Sequence, residues 1–153
     1  MIDSEDIKFI PEALSNLRSG ANWAVKDAEI QWLDDTQTQP TDEEIQAEIE
    51  RLKVIESKEQ QRSKAKAERD KALNLVTYTL SDGSVYQVRP KDVPNFQLAI
   101  QRNQDVKWIL ADNKVGLTTV DELKEILNHG IQEGTRIWDE YTEKLEEINN
   151  QVK

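Results

Sequence analysis

The chain has 153 residues, of which 37% are hydrophobic and 33% charged, and its formal net charge is -10. This charge argues against a general nucleic-acid binder, which needs a basic face, and against binding to anionic membranes. The absence of cysteine excludes disulfides and thiolate chemistry. So polar a composition predicts small cores, long solvated helices, or surface that is buried against a partner.

The sequence also gives an expectation about location. No run approaches the roughly 20 apolar residues that span a bilayer. The first residues, MIDSEDIKFI, are acidic, unlike the positive start of a secretory signal. We therefore expect a protein that works where it is made or leaves the cell by lysis.

Residues 1–40 predict a small amino-terminal head. Pro11 suits a first helical turn, the apolar residues Ala13, Leu14 and Leu17 have helical spacing, and Gly20 fits just past the helix end. The pattern therefore predicts one short helix at the start of the chain.

A hairpin is expected next. Trp23 and Val25 stand at alternate positions, as do Ile30 and Trp32, and the tight turn 26–29 separates the two runs. This places aromatic side chains on one face. Each of the four tryptophans of the chain is expected to pack in a core rather than to form a platform for a ligand.

Residues 41–73 predict a long helix. Pro40 resists helix on its amino side, Thr41 is a good N-cap, and Glu44 stands three residues later, as a capping box requires. An apolar stripe follows, and the segment 34–40 before it is expected to be a polar loop that acts as a hinge. The stripe consists of Ile45, Ile49 and Leu52.

The second half of that helix, ESKEQQRSKAKAERDKAL, is almost entirely polar. Its apolar heptads do not last for the three or four repeats typical of a coiled coil. Such a helix serves as a spacer or pairs with copies of itself, and both interpretations stay open. We expect an arm of about 30 residues, or ~50 Å at 1.5 Å per residue.

Residues 74–153 predict a carboxyl-terminal α+β domain with two hairpins and a helix between them. Asp82-Gly83 marks the first turn and 111–113 the second. Pro90 and Pro94 bracket the start of the intervening helix, with Asp92 as its expected cap.

The last helix is expected to begin at Thr118 or Thr119, with acidic residues behind the cap, and to run for about 30 residues with a sustained apolar face. Gly130 and Gly134 form a GxxxG inside it. Two glycines on one face predict close packing, within the chain or with a partner, or alternatively a kink.

The sequence contains no pattern typical of an enzyme. His129 is the only histidine, and a lone histidine on a helix is usually a surface or half-buried polar residue. The acidic pairs, such as Asp34-Asp35, are better explained as caps or solvated faces than as metal ligands. We therefore expect no catalytic residue, no cofactor and no metal.

Two stretches resemble bacteriophage proteins. YTLSDGSVYQV and the later WILADNKVGLTTVDELKEIL resemble an uncharacterised domain common near the carboxyl end of tail-fibre-associated proteins. The matching positions are Gly83, Tyr86, Trp108, Asp112, Asn113, Leu117, Thr118, Glu122 and Leu123. The amino-terminal part is similar to small tail-region proteins encoded beside fibre genes, through Ala21, Trp23, Ile30, Trp32, Leu33, Pro40, Thr41, Glu43, Glu44 and Ile45. The glycine pair in the last helix departs from the pattern, where bulkier helix formers are expected.

The resemblance implies a structural or adaptor component of a virion, at the tail or the tail-fibre attachment region, made in the host cytoplasm. Its partners would be tail or tail-fibre proteins, with self-association into a trimer or ring. A tail-fibre assembly chaperone that is absent from the mature virion is the alternative, and a small regulatory or enzymatic protein is a third. The interface candidates are Trp23, Trp32, Gly130, Gly134, Trp138 and Tyr141.

Overall fold

A computed structural model describes residues 2–151. Over that range the chain is an α+β protein, as predicted, with four α-helices and three two-stranded antiparallel sheets. It divides into two compact units, residues 2–61 with residue 151, and residues 62–150. The division into head, arm and carboxyl-terminal domain stays a prediction.

The elements follow the predicted order. A short 3-10 helix, Ile7–Phe9, precedes the first α-helix. The remaining elements are α1 (Ile10–Leu17), β1 (Trp23–Lys26), β2 (Glu29–Trp32), α2 (Asp42–Asn74), β3 (Thr77–Thr79), β4 (Val85–Gln87), α3 (Val93–Arg102), β5 (Val106–Ile109), β6 (Val115–Thr118) and α4 (Val120–Asn149). The two long helices, of 33 and 30 residues, are close to their expected lengths.

The core of the first unit forms between α1 and the amino-terminal half of α2. Ile10 and Leu14 are fully buried against the predicted stripe on α2, in which Ile45 and Ile49 are also fully buried. The β1–β2 hairpin packs its aromatic face on this core. Its turn residues adopt positive φ angles, which is typical of the two-residue turns whose twist matches a hairpin.

The start of α2 has the predicted capping box. The Thr41 hydroxyl accepts a hydrogen bond from the Glu44 N–H at 3.1 Å, and the Glu44 carboxylate accepts one from the Thr41 N–H at 2.8 Å. That second bond is the main reason the pKa of Glu44 is lowered, and the Arg18 guanidinium adds to the effect. Two of the donors that a helix start leaves unpaired are thus satisfied.

Replacing Thr41 with alanine is expected to reduce the local stability of the first turn of α2 by about 1 kcal/mol, because it removes a side-chain cap. Faster hydrogen exchange at the amides of residues 43–46 would measure the loss. Thr38→Ala, in the preceding loop, is the matched control. Equal exchange in wild type and Thr41→Ala would contradict the cap.

The loop between β2 and α2 is organised by local hydrogen bonds, and its role as a hinge stays a prediction. The Asp34 carboxylate accepts bonds from the backbone N–H groups of Asn22, Thr36 and Gln37 and from the Thr36 hydroxyl, at 2.7–2.9 Å. Arg18 Nε donates to the Thr38 carbonyl at 2.8 Å. Asp34 therefore organises a turn, a role that was not predicted from the sequence.

These bonds set a pH dependence. They lower the pKa of Asp34 from 3.8 to about 2, with the Thr36 hydroxyl as the largest cause and the backbone N–H groups next. Because the folded pKa lies below the unfolded one, the contribution of Asp34 to stability is complete above the unfolded pKa and is lost as pH falls through about 2. We expect the Asp34 carboxyl carbon to titrate near the lower value in an NMR experiment.

The matched comparison is the stability loss of Asp34→Asn measured at pH 6 and again below pH 3. The loss should shrink in acid, because the wild-type carboxylate is then being protonated too. Asp35→Asn serves as the neighbouring control. An Asp34 midpoint at its ordinary 3.8 would contradict the assignment.

The second unit is built around α3 and α4. Phe96, Leu123 and Ile126 are fully buried, and Phe96 stacks on Trp108 with ring centroids 4.3 Å apart. The inner faces of the hairpins add Tyr86 to the same core. Sequence reasoning predicted both hairpins and placed Trp108 in a core, and the structure confirms these predictions.

The two helix caps of this unit differ. Thr119 forms a full capping box with Glu122 at the start of α4, as expected. Asp92 is at the N-cap position of α3 but makes no side-chain cap, so that prediction is wrong in its mechanism. Its carboxylate instead accepts hydrogen bonds from Arg89, including one of 2.7 Å from Nε.

The polar second half of α2 contacts its own chain. Arg62 donates to the Asn149 side chain at 2.8 and 3.1 Å, and the Arg69 guanidinium lies over the rings of Trp138 and Tyr141. Leu73, near the end of the helix, is part of the core. This segment is therefore not a bare spacer, because it contacts α4 of the same chain. Pairing with copies of itself stays an open interpretation.

Candidate protein-binding surface

An apolar groove runs along α4 in the second unit, and we call it the α4 groove. It has a volume of about 400 Å³. Its lining includes Val88, Pro90, Val93, Ile131, Gly134 and Trp138. None of the described residues that line it is charged, although a third of the chain is.

The two glycines of the groove have different surroundings. Gly130 is buried, and a Cβ built on it would lie 2.2 Å from Cγ2 of Val88. The close packing expected at this position therefore occurs within the chain. A Cβ on Gly134 would meet nothing within 4 Å, so Gly134 leaves open space in the groove.

Trp138 is 47% exposed, so the prediction that it belongs to a core is wrong. Its ring contacts that of Tyr141 edge to face, with centroids 5.8 Å apart. Ile131, two turns earlier on α4, is 49% exposed. Four of the six interface candidates, Gly130, Gly134, Trp138 and Tyr141, thus lie along one helix, and three of them line one groove.

The other two candidates are in the first unit. Trp23 and Trp32 pair directly across the β1–β2 hairpin and pack against the core of that unit. The Trp32 indole N–H donates to the Gln37 carbonyl at 2.9 Å. Both rings are half-buried and have a structural role within the chain.

A second apolar surface lies on the outer side of the β5–β6 hairpin, and we call it the outer hairpin face. Ile109, Val115 and Leu117 are 64–69% exposed there. Ile109 pairs with Val115 and Lys107 with Leu117, so these four residues share one face. Exposed aliphatic residues that cluster on one face are typical of interaction surfaces.

Sequence reasoning did not single out the outer hairpin face. A signal was present, because the run VKWIL places apolar residues at consecutive positions of a strand, and so on both faces. A strand with one solvated face would show polar residues at alternate positions.

His129 is half-buried, as expected, and its ring centroid lies 4.7 Å from that of Tyr78. Glu125 and Glu133 flank it by one turn on each side of α4. Glu125 accepts a bond from the Tyr78 hydroxyl at 2.9 Å, and Glu133 pairs with Arg136, which lowers the pKa of Glu133. Among residues 2–151 no group of three or more histidine or acidic side chains is arranged to hold a metal ion.

The geometry defines an α+β protein whose candidate site is apolar surface rather than a pocket of converging polar groups. No α-helix within the described range is both long enough and apolar enough to cross a membrane. Comparison with protein-family models, with curated proteins and with solved structures finds no match to this chain.

Proposed function

We propose that this chain is a structural or adaptor component of a tailed-phage virion, at the tail or the tail-fibre attachment region. It acts by protein–protein assembly and not as an enzyme. Its partners are tail or tail-fibre proteins, and it associates with itself as a trimer or ring.

The observation that carries the assembly role is the exposed apolar surface of the second unit. Three aliphatic side chains on the outer hairpin face are each about two-thirds exposed, and the α4 groove is uncharged. Exposing these side chains to water does not stabilise the chain, because burial of each aliphatic side chain would contribute about 1.5–3 kcal/mol of free energy. A protein partner that covers these residues accounts for them.

The virion location rests on the resemblance to tail-fibre-associated proteins. Several of the residues that carry this resemblance have local structural roles in the second unit. Gly83 has a φ of +87° in the β3–β4 turn, Tyr86 is buried, and Trp108 stacks in the core. These roles support a common fold pattern, while the place in the particle comes from the resemblance.

Quantitative mass spectrometry of purified phage particles tests the location. A virion component is expected at a fixed stoichiometry to a tail protein. A chain that is abundant in infected cells but absent from particles would instead be the assembly chaperone. Absence from both the particles and any complex with tail proteins would contradict both functions.

The interaction surfaces are tested with two sets of variants. Replacing Ile109, Val115 and Leu117 together with threonine is expected to abolish incorporation, and Gly134→Leu is expected to reduce it by filling the α4 groove. Leu33→Thr, at a residue 66% exposed in the other unit, is the control for the first set, and Gly134→Ala for the second. Normal incorporation of both surface variants would contradict the assembly role.

Light scattering of the purified protein tests self-association. A stable trimer would favour attachment at a fibre, which is itself threefold in the proposed setting. A monomer at all concentrations would remove the ring or trimer from the proposal and leave assembly with other tail proteins.

A further inference from the structure

Arg69 holds the exposed tryptophan of the α4 groove through a cation–π contact. Its guanidinium carbon lies 4.4 Å from the Trp138 ring centroid and 4.5 Å from that of Tyr141. Only 12% of the Arg69 side chain is exposed, and its Nε and Nη2 donate to Asp70 at 2.9 and 2.7 Å. Both rings therefore contact one fixed cation.

Packing around the Arg69 guanidinium is incomplete on one side. A depression of about 240 Å³, open to solvent, lies between α2 and α4, and its lining includes Ala65, Ala72, Ile137 and Tyr141 beside Arg69. The missing atoms make no dispersion contacts with this lining. From the α2 side, the cation–π contact therefore helps to fix the position of the Trp138 ring, together with Leu73, which lines the α4 groove beside Trp138.

The Trp138 indole has free space beside it on α4, at the position of Gly134. Trp138 follows Gly134 by four residues, so the two positions lie on one face of α4. Helical side chains lean toward the amino terminus, which directs the indole toward the turn that contains Gly134. At Gly134 there is no side chain and nothing within 4 Å of where one would begin.

We propose that Trp138 is a lid on the α4 groove and that Arg69 is a positioning residue that holds this lid open. Without the guanidinium, the indole turns over Gly134 and fills the groove with its own ring. With it, the groove is preorganised before a partner arrives, which lowers the cost of binding. This inference rests on the proposed function for its purpose, but the movement of the lid does not depend on a partner.

Fluorine NMR of the full chain labelled with 5-fluorotryptophan tests the lid. The protein has four tryptophans, and Trp138→Phe identifies the resonance of Trp138. Arg69→Met keeps the length of the side chain and removes the cation. In this variant the Trp138 resonance is expected to shift, and its H₂O/D₂O isotope shift, which reports exposure, is expected to fall as the ring enters the groove.

Three further variants decide between closure and other changes. Arg62→Met removes another arginine of α2 and should leave the Trp138 resonance in place. Arg69→Lys keeps a cation without the flat guanidinium, so the Trp138 resonance and its isotope shift should change less but in the same direction. This variant provides the test if Arg69→Met does not fold. Adding Gly134→Val to Arg69→Met fills the space and should restore the exposure of the ring.

An unchanged Trp138 resonance in Arg69→Met, or an isotope shift that rises because the ring swings into solvent, would overturn the lid. Neither result would bear on whether the chain is found in purified particles. The lid and the proposed function can therefore fail separately.

Discussion

Replacing Gly130 with alanine is expected to destabilise the second unit, although alanine is the better helix former. The added Cβ would lie 2.2 Å from Cγ2 of Val88 and 3.2 Å from its Cβ. Val88 is 2% exposed, and its N–H donates to the Val76 carbonyl at 3.0 Å, so its backbone is not free to retreat. Valine is also stiff at χ1, which limits rotation away from the clash.

The size of the effect follows from two opposing terms. Overpacking of a core costs about 1–3 kcal/mol, while glycine to alanine inside a helix gains up to about 1 kcal/mol. We expect the clash to win at Gly130, with a net loss of about 1 kcal/mol in the stability measured by hydrogen exchange of α4 amides.

Gly134→Ala is the matched control, since it makes the same chemical change four residues later. Nothing lies within 4 Å of its added Cβ, so only the propensity term acts and the variant should gain up to about 1 kcal/mol. Val88→Ala should partly rescue Gly130→Ala by making room for the new methyl. If both glycine variants were stabilised equally, the close contact at Gly130 would be wrong.

Replacing Tyr86 with phenylalanine is expected to cost about 1–3 kcal/mol, because it leaves a buried hydroxyl without its partner. The Tyr86 hydroxyl and Oγ1 of Thr118 lie 2.7 Å apart, and the two residues are 2% and 0% exposed. This bond joins β4 to β6, which belong to two different hairpins. Thr118→Val should cost a similar amount for the same reason.

The two changes together should cost much less than the sum of the single ones. Removing both polar groups leaves no unsatisfied atom in the core, so a double-mutant cycle followed by urea unfolding should show strong coupling. Tyr78→Phe provides the comparison, because the Tyr78 hydroxyl bonds to Glu125 at an exposed position where water can replace it. Additive effects, or equal effects of Tyr86→Phe and Tyr78→Phe, would contradict the role of the buried pair.

Local signals predicted most of the fold. Thr41 with Glu44, and Thr119 with Glu122, mark helix starts through bonds that span only three residues, so the sequence contains both partners. The hairpin turns are equally local. Periodicity likewise identified the stripe that buries Ile45 and Ile49, because one helix face meets one core.

The contacts that could not be predicted join residues far apart in the chain. Gly130 and Gly134 have the same local pattern, and only the position of Val88 distinguishes them. The sequence around Arg69 is typical of a solvated helix, since a cation–π contact needs rings that come about seventy residues later. Asp92 failed as a cap because Arg89, a competing donor three residues earlier, takes its carboxylate.

The candidate site was predicted in part for the same reason. Helical spacing brought Gly130, Gly134, Trp138 and Tyr141 to one helix, but the rest of the groove comes from Leu73, Val76 and residues 88–93. The outer hairpin face was missed because a short apolar strand can be buried on both sides or exposed on one. Only the packing of Trp108 and Thr118 inward determines that Ile109 and Leu117 point outward.

The small size of the sheets bears on how the protein behaves at high concentration. Each sheet in the described range has two strands, so every strand is an edge with backbone groups that another chain could pair with. The strands are only three or four residues long, and Lys107 stands beside the aliphatic residues of the outer hairpin face. In-register stacking of copies would place these lysines about 5 Å apart, and their repulsion opposes fibre growth. The hairpin can thus present an apolar face without becoming a template for amyloid.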